Sequence, residues 1–285
     1  MTISPGEGGT AGGSGLAVVV VNYESGDALY RCLESVRRQR PDAVVVVDNG
    51  SSDGSLDRVG ADMPDVVVVR PAANLGYGVA ANRGVSDTDS PYVLVANADL
   101  EVMPGAFGVL VGVLDDDPRC ALVGPLLRTP TGDRYPSARR FPSLLDAAGH
   151  AVLGIVAPNN RFTRAYQRSD LDAAGSETHE VDWVSGACFC VRRTAFDEVG
   201  GFDASYFMYA EDVDLCWRLQ RRGWRVSYAP AAEVVHAQGV STERHPYRMI
   251  IEHHRSLWRF ARRSQLGWRR LLLPVVAVGL GVRST

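Results

Sequence analysis

The 285-residue chain contains no lysine; all thirty of its basic residues are arginine, which points to a GC-rich coding genome rather than to a mechanism. Cysteine is scarce: five residues without regular spacing, and Cys188-Phe189-Cys190 lacks the paired CxxC spacing of a zinc site. A disulfide scaffold is thereby excluded, and the thiols are expected to be buried and reduced, as in the cytosol. Long hydrophobic runs are also missing. The most apolar stretch, residues 271–282, is interrupted by Pro274 and two glycines, whereas a membrane span needs about twenty apolar residues. Residues 1–15 hold six glycines but neither a basic nor an apolar signal region, so they read as a flexible tail and a cytoplasmic chain is expected.

With 46% hydrophobic and 22% charged residues, the composition is that of a globular enzyme-sized protein, not of a collagen, a coiled coil or a disordered chain. A chain this long buries roughly 75% of its unfolded surface and folds without a metal or disulfide staple. Charge is unevenly placed. Residues 244–285 carry nine arginines against Glu252 alone, a local net of +8, which leaves −11 on residues 1–243 of the total of −3. An acidic body with a basic tail implies an anionic surface for the tail to meet.

From Leu16 the pattern is apolar run, helical stretch, apolar run. Residues 16–21, 43–47, 66–69 and 92–96 are short, Val-rich and unalternating, as strands covered on both faces are. Residues 28–38 place Leu29, Cys32, Leu33 and Val36 on one helical face, and residues 79–85 are also helical. This alternation predicts an α/β fold with a mostly parallel sheet, whose ligands bind beyond the carboxyl ends of the strands. The residues there are Asn22-Tyr23, then Asp48 to Gly54, then Asn74-Leu75-Gly76-Tyr77-Gly78, then Asn97-Ala98-Asp99. Residues 128–142 and 158–180 read as loops, order returns over 181–199, residues 211–222 form a helix, and short strands follow at 225–228 and 233–235.

Three constellations carry chemistry. Asp99, at the end of the fourth strand with Glu101 beyond it, can hold a divalent cation against a diphosphate, or cap the helix beginning near Pro104. Glu211, Asp212 and Asp214 open a helix behind the aromatic run Tyr206-Phe207-Met208-Tyr209; a carboxylate excluded from water there gains basicity. The helix dipole and an Asp214–Arg218 pair also account for these acids structurally. His236 ends a short strand, where it is either a structural residue or, with Asp99, a mixed oxygen and nitrogen ligand pair. Gly76-Tyr77-Gly78-Val79-Ala80-Ala81 fits the dinucleotide fingerprint but follows the third strand rather than the first, which argues against a nicotinamide enzyme. Its glycines leave room for backbone amides to approach a nucleotide phosphate.

Taken in order, residues 18–23, 47–55, 74–78 with Asn82, 97–99, 183–188 and 200–215 resemble the inverting glycosyltransferases of family 2, and six co-ordered motifs span about residues 16–240. Residues 135–139, 142–144 and 150–154 are similar to those of bacterial rhamnosyltransferases. The resemblance implies a GT-A fold, with a donor half at 16–125, an acceptor half at 126–243, and a C-terminal helical extension at 244–285. It implies that Asp48 reads the nucleobase, while Asn22, Tyr23, Asn74, Gly76, Asn82 and Asn97 frame the donor. Asp99 and His236 would hold Mn2+ or Mg2+, with Asn97 standing where the DxD motif has its first aspartate. Asp212 would be the general base, and Trp183, Ser185, Gly186 and Glu211 would line the acceptor pocket. The implied reaction moves L-rhamnose from dTDP-L-rhamnose to a polyprenyl-diphosphate-linked N-acetylglucosamine. A family 2 transferase using UDP-galactofuranose or a UDP-hexose, or a non-catalytic nucleotide-sugar-binding protein, are the alternatives.

Residues 245–270 read as a basic helix with Trp258, Phe260 and Trp268 among its arginines. Such a segment lies peripherally on the inner face of the membrane, close to a lipid-linked acceptor; otherwise its aromatic face packs on the catalytic domain. No nucleic-acid-binding motif accompanies it.

Overall fold

The computed structural model describes residues 15–141, 175–237 and 246–264. The expectations for residues 1–14, 142–174, 238–245 and 265–285, including the motifs at 142–144 and 150–154, Trp268 and the apolar stretch 271–282, lie outside the described residues.

The first four predicted strands form as β1 (Leu16–Asn22), β2 (Ala43–Asp48), β3 (Val66–Val69) and β4 (Tyr92–Asn97), all mutually parallel where they pair. Their valines point alternately into two cores: Val19, Val21, Val45 and Val47 on one face, Val18, Val20, Val44 and Val46 on the other. Helix α1 (Asp27–Arg38) covers the second face with Leu29, Cys32, Leu33 and Val36. Between β2 and β3 lies the short helix α2 (Asp57–Asp62). Helix α3 (Tyr77–Ser86) covers the first face with Ala80, Ala81 and Val85. It lies so close that a Cβ on Gly84 would sit 2.3 Å from a Val19 methyl, so only glycine fits.

Beyond β4 the sequence reading needs correction. Strand β5 (Leu100–Val102), helix α4 (Ala106–Asp116) and the long strand β6 (Cys120–Arg128) follow, and the expected loop at 128–142 contains β7 (Arg134–Tyr135) and β8 (Ala138–Arg139). Beyond the undescribed stretch come β9 (His179–Glu180), β10 (Trp183–Val184), β11 (Cys188–Arg192), α5 (Arg193–Glu198) and α6 (Glu211–Arg221). The two short strands expected after α6 are one, β12 (Arg225–His236), whose register shifts between Ala229 and Glu233 around Pro230.

The main sheet runs β3-β2-β1-β4-β11-β6-β12-β5. Strand β11 lies antiparallel between β4 and β6, β5 is antiparallel to β12, and β12 is parallel to β6. Residues 16–125 and 126–243, the two halves expected from the sequence, therefore share one sheet. Strands β8 and β10 form a separate antiparallel pair. All five cysteines are buried and free, and burial pushes the thiols of Cys32, Cys188, Cys190 and Cys216 up, that of Cys32 to about 12.

One face of helix α7 (Pro246–Ser264) packs on the domain, as the second of the two expectations for the basic segment had it. Phe260 is 3% exposed, against Phe141 and Trp217, so it is a core residue and not a membrane anchor. Arg263 bonds Asp203 and lies 3.2 Å from the fully buried Asp214. Trp258, Arg255, Arg259 and Arg262 line a groove on the outer side, where Ile250 and Ile251 are exposed.

Candidate active site

The carboxyl ends of β1, β2 and β4 open onto one mouth. At the first two, Asn22 is fully buried and its amide donates to Asp48 Oδ1 at 2.9 Å, Ser51 Oγ at 3.1 Å and Ser55 Oγ at 3.0 Å. It ties the end of β1 to the loop after β2, shaping the pocket from beneath rather than presenting a group to a ligand. Glu24 Oε1 accepts from the Ser52 amide at 2.9 Å and from its hydroxyl at 2.8 Å, while Asp53 accepts from Gly26 at 2.7 Å. These contacts stitch the loop after β1 to the loop after β2.

Residues 74–78 are held by Asn49, which the sequence reading passed over. Its amide donates to Asn74 Oδ1 at 3.0 Å and to the Gly76 carbonyl at 3.2 Å, and its Oδ1 accepts from Leu75 at 2.8 Å. Two expected donor residues are turned inward. The Gly76 amide donates to Asn74 Oδ1 at 2.9 Å, and a Cβ there would sit 2.2 Å from the Phe207 carbonyl oxygen, so the glycine permits a close backbone crossing and presents no phosphate-binding amide. Asn82 brackets the backbone of Phe202 with two 2.8 Å bonds and locks the turn at residues 200–202 onto α3. Gly78 packs against the Phe202 side chain.

The antiparallel pairing of β5 with β12 sets Leu100 opposite His236 and so brings together two residues far apart in sequence. His236 Nε2 lies 3.2 Å from Asp99 Oδ1 and 3.4 Å from the Asn97 amide nitrogen, and its Nδ1 is buried without a partner among the described residues. The Tyr135 ring meets the imidazole edge-on, with centroids 6.1 Å apart. Glu101 is exposed and takes no part.

Asp212 stands in the first turn of α6, held at the mouth by two amides: Gly186 donates to Oδ2 at 2.8 Å and Val213 to Oδ1 at 2.8 Å. Asp214 is spent structurally, bonded by Arg218 at 2.6 Å with Arg263 nearby, as the i, i+4 spacing allowed. Burial raises the carboxyls of both Glu211 and Asp212, that of Glu211 to about 8, with the charge of Asp212 adding to the rise. The two titrate as a pair. Glu211 is 6% exposed, and its Oε2 has no hydrogen-bond partner among the described residues. Burial raises the Asp212 carboxyl, while two amides and the Arg139 guanidinium oppose the rise by favouring its charge.

Glu211 therefore has a stability signature. Its folded value exceeds the unfolded one, so the stabilisation it contributes is complete below pH 4.5 and is lost as pH rises toward 8. Glu211→Gln is expected to match the parent in melting temperature at pH 4 and exceed it by several degrees at pH 9. A constant difference across pH would contradict a buried neutral acid.

On the side expected for the acceptor, Trp183 is 5% exposed, its indole donating to the Arg140 carbonyl at 2.8 Å, and the Arg139 guanidinium lies over its ring at 5.1 Å. Trp183 supports the pocket, and Arg139, missed as a single residue, is the charged group above it. Ser185 is nearly buried, its amide donating to the Ser137 carbonyl at 2.8 Å. Tyr77, also missed, donates its hydroxyl to the Gly186 carbonyl at 2.5 Å.

The profile of glycosyltransferase-like family 2 matches residues 14–268. The chain is 42% identical over 268 residues, 90% of its length and 86% of the relative's, to the N-acetylglucosaminyl-diphospho-decaprenol L-rhamnosyltransferase of Mycobacterium tuberculosis. It is 40% identical over 100 residues, 35% of this chain and 34% of the other, to the rhamnosyltransferase WbbL of Escherichia coli. Among solved structures, it is similar to the mannosyltransferase PcManGT of Pyrobaculum calidifontis in complex with GDP-Man and Mn2+, with TM-score 0.61 and 19% identity over 94% of this chain and 74% of that one. It is also similar to GalNAc-T7 with UDP, GalNAc and Mn2+, with TM-score 0.59 and 17% identity over 78% of this chain and 42% of that one. The chain belongs to glycosyltransferase family 2 and is a glycosyltransferase with the GT-A fold.

Proposed function

We propose that this enzyme transfers L-rhamnose from dTDP-L-rhamnose to N-acetylglucosamine carried on a polyprenyl diphosphate, with inversion at the anomeric carbon. The observation that carries the donor and acceptor is the 42% identity, over nearly the whole chain, to an enzyme named for that reaction. Placement of Asp212, held by the Gly186 and Val213 amides, beside the buried Glu211 supports the chemistry.

In this reading residues 16–125 hold the donor and residues 126–243 the acceptor. Asp48, at the end of β2, reads the base, with Tyr23 and Asn74 at the rim. Asp212 takes the proton of the acceptor hydroxyl as that oxygen attacks the anomeric carbon in line with the departing nucleoside diphosphate. Glu211, carrying its proton, donates a hydrogen bond to the acceptor without competing for the base's role. Arg139 offers a guanidinium to the acceptor's anionic or acyl groups. No covalent enzyme intermediate is needed, and a β-linked donor gives an α-linked product.

Asp99 and His236 fit a divalent cation. Their oxygen and nitrogen are 3.2 Å apart, close to the edge of an octahedron with bonds of about 2.1 Å. Among the described residues no third His, Cys, Asp or Glu joins them, which leaves positions for the donor diphosphate and water. Such a cation supplies charge stabilisation for the leaving diphosphate. We place the enzyme peripherally on the inner face of the cell membrane, where the outer face of α7 offers Arg255, Arg259, Arg262 and Trp258 to anionic lipid. No helix among the described residues is long and apolar enough to cross a membrane.

The test is transfer of labelled sugar to a synthetic N-acetylglucosaminyl-diphospho-polyprenol in anionic vesicles, with dTDP-L-rhamnose, UDP-galactofuranose and UDP-N-acetylglucosamine in parallel, each with and without EDTA. Transfer from the rhamnose donor alone, abolished by EDTA, restored by Mn2+ or Mg2+ and accompanied by co-sedimentation with the vesicles, is expected. Transfer from a UDP-sugar alone would overturn the donor assignment, and EDTA-resistant transfer would overturn the cation.

A further inference from the structure

The hydroxyl of Tyr77 touches the short segment between β10 and β11 that holds the base. It donates to the Gly186 carbonyl oxygen at 2.5 Å, and the Gly186 amide in turn donates to Asp212 Oδ2 at 2.8 Å. Gly186 has no side chain to restrain it, so its amide direction depends on what pins each side. Asp212 pins the amide and Tyr77 pins the carbonyl; on either side, Ser185 is held to Ser137 at 2.8 Å, and the Ala187 carbonyl accepts from Asn97 at 2.9 Å. The Tyr77 amide makes a second tie, donating at 3.0 Å to the carbonyl of Phe207, in the residues leading into α6. Those residues are conformationally costly, since Tyr209 and Ala210 both adopt positive φ, 67° and 61°. Residue 77 thus braces Asp212 from two directions. Through residues 74–76 it is also continuous with Asn49 and Asn74 at the donor side.

We infer that Tyr77 is a positioning residue that couples the donor loop to the general base, by fixing Gly186 so that its amide faces the Asp212 carboxylate. The inference rests on the reading of Asp212 as base. The Tyr77 hydroxyl has no second hydrogen-bond partner among the described residues, and burial together with the neighbouring Glu211 raises it well above the usual tyrosine range, so it stays a donor at every working pH. Its ring packs edge-on against Phe202, with centroids 6.1 Å apart, and that contact survives loss of the hydroxyl.

The test compares Tyr77→Phe with Phe202→Leu, which disturbs the ring packing and keeps the hydroxyl. In Tyr77→Phe, kcat is expected to fall about 10- to 100-fold, as a misplaced reacting group costs, with the affinity for dTDP unchanged by calorimetry. Loss of one amide bond to a carboxylate is expected to raise the acid limb of kcat by roughly half to one pH unit. The charged and titratable groups facing Asp212 are Glu211 on its own helix, Arg139 from β8, Tyr77 from α3 and Cys216 one turn on. The limb is therefore measured in a Glu211→Gln background, where one carboxylate of the pair remains. Phe202→Leu is expected to melt lower with the acid limb unmoved. An unmoved limb in Tyr77→Phe, or an equal shift in both variants, would overturn the coupling. Full turnover in Asp212→Asn would instead overturn the base assignment beneath it, so the two failures are separable.

Discussion

Asp212→Asn is expected to lower kcat by about 10²- to 10⁴-fold, the range a general base supplies, while leaving dTDP binding intact. The asparagine keeps the size of the side chain and can still accept from one of the two amides, Gly186 or Val213, that hold the separate carboxylate oxygens at 2.8 Å each. What it loses is the ability to take a proton. A fall in kcat with unchanged donor affinity by calorimetry therefore isolates the chemical step. Asp214→Asn should behave differently, because Asp214 is fully buried against Arg218 and Arg263 and its loss leaves guanidinium groups unneutralised. That variant should lose stability, and a kcat effect of the same size without loss of stability would show that the wrong aspartate of the trio has been assigned.

Phe260→Ala is expected to destabilise the protein by about 3–5 kcal/mol, the usual cost of emptying a buried aromatic site. Phe260 comes from the basic helix, so the prediction separates a detachable membrane tail from an integral part of the domain. The ring is 3% exposed between Phe141 and Trp217. Around it the helix makes further contacts with the segment leading to the base: Ser256 donates to the Met208 carbonyl at 2.9 Å, His253 meets Tyr209 edge-on at 5.2 Å, and Arg259 lies over the Tyr206 ring at 5.4 Å. Turnover should fall along with the melting temperature, because two of the residues so braced have neighbours at positive φ. A melting temperature within a degree or two of the parent would mean that α7 contributes nothing to the fold. Charge reversal at Arg262, which is exposed, makes the complementary change on the outer face and should spare stability.

Much of the site could be read along the chain. The donor side is built from local βα turns, so Asp48, Asn74, Asn97 and Asp99 are found by looking just past each Val-rich run, where the sheet has to open. The acids of α6 were legible as a helix start because carboxylates suit a helix N-terminus. Parts of the role assignment were not legible. Asn22 and Asn82 are polar residues in the right turns, but their amides are consumed by Asp48, Ser51, Ser55 and the Phe202 backbone. Gly76 resembles a phosphate-loop glycine and is in fact a backbone crossing point beneath Phe207. Strand β6 and the continuity of β12 were missed, and the bedding of Phe260 was left as one of two alternatives, since each depends on partners distant in sequence.

Local pattern alone determined the parallel half of the sheet, its two-sided burial and the order of the polar turns, because alternating apolar and helical segments leave a chain few other ways to bury its valines. Tertiary structure decided how the three neighbouring acids are partnered, since only packing brings Arg263 to Asp214 and Gly186 to Asp212. It also decided the pairing of Asp99 with His236, which exists because β5 turns back antiparallel against β12. A carboxylate's basicity and a cation's ligands are both set by what lies within a few ångströms, and those neighbours come from segments that the sequence keeps far apart.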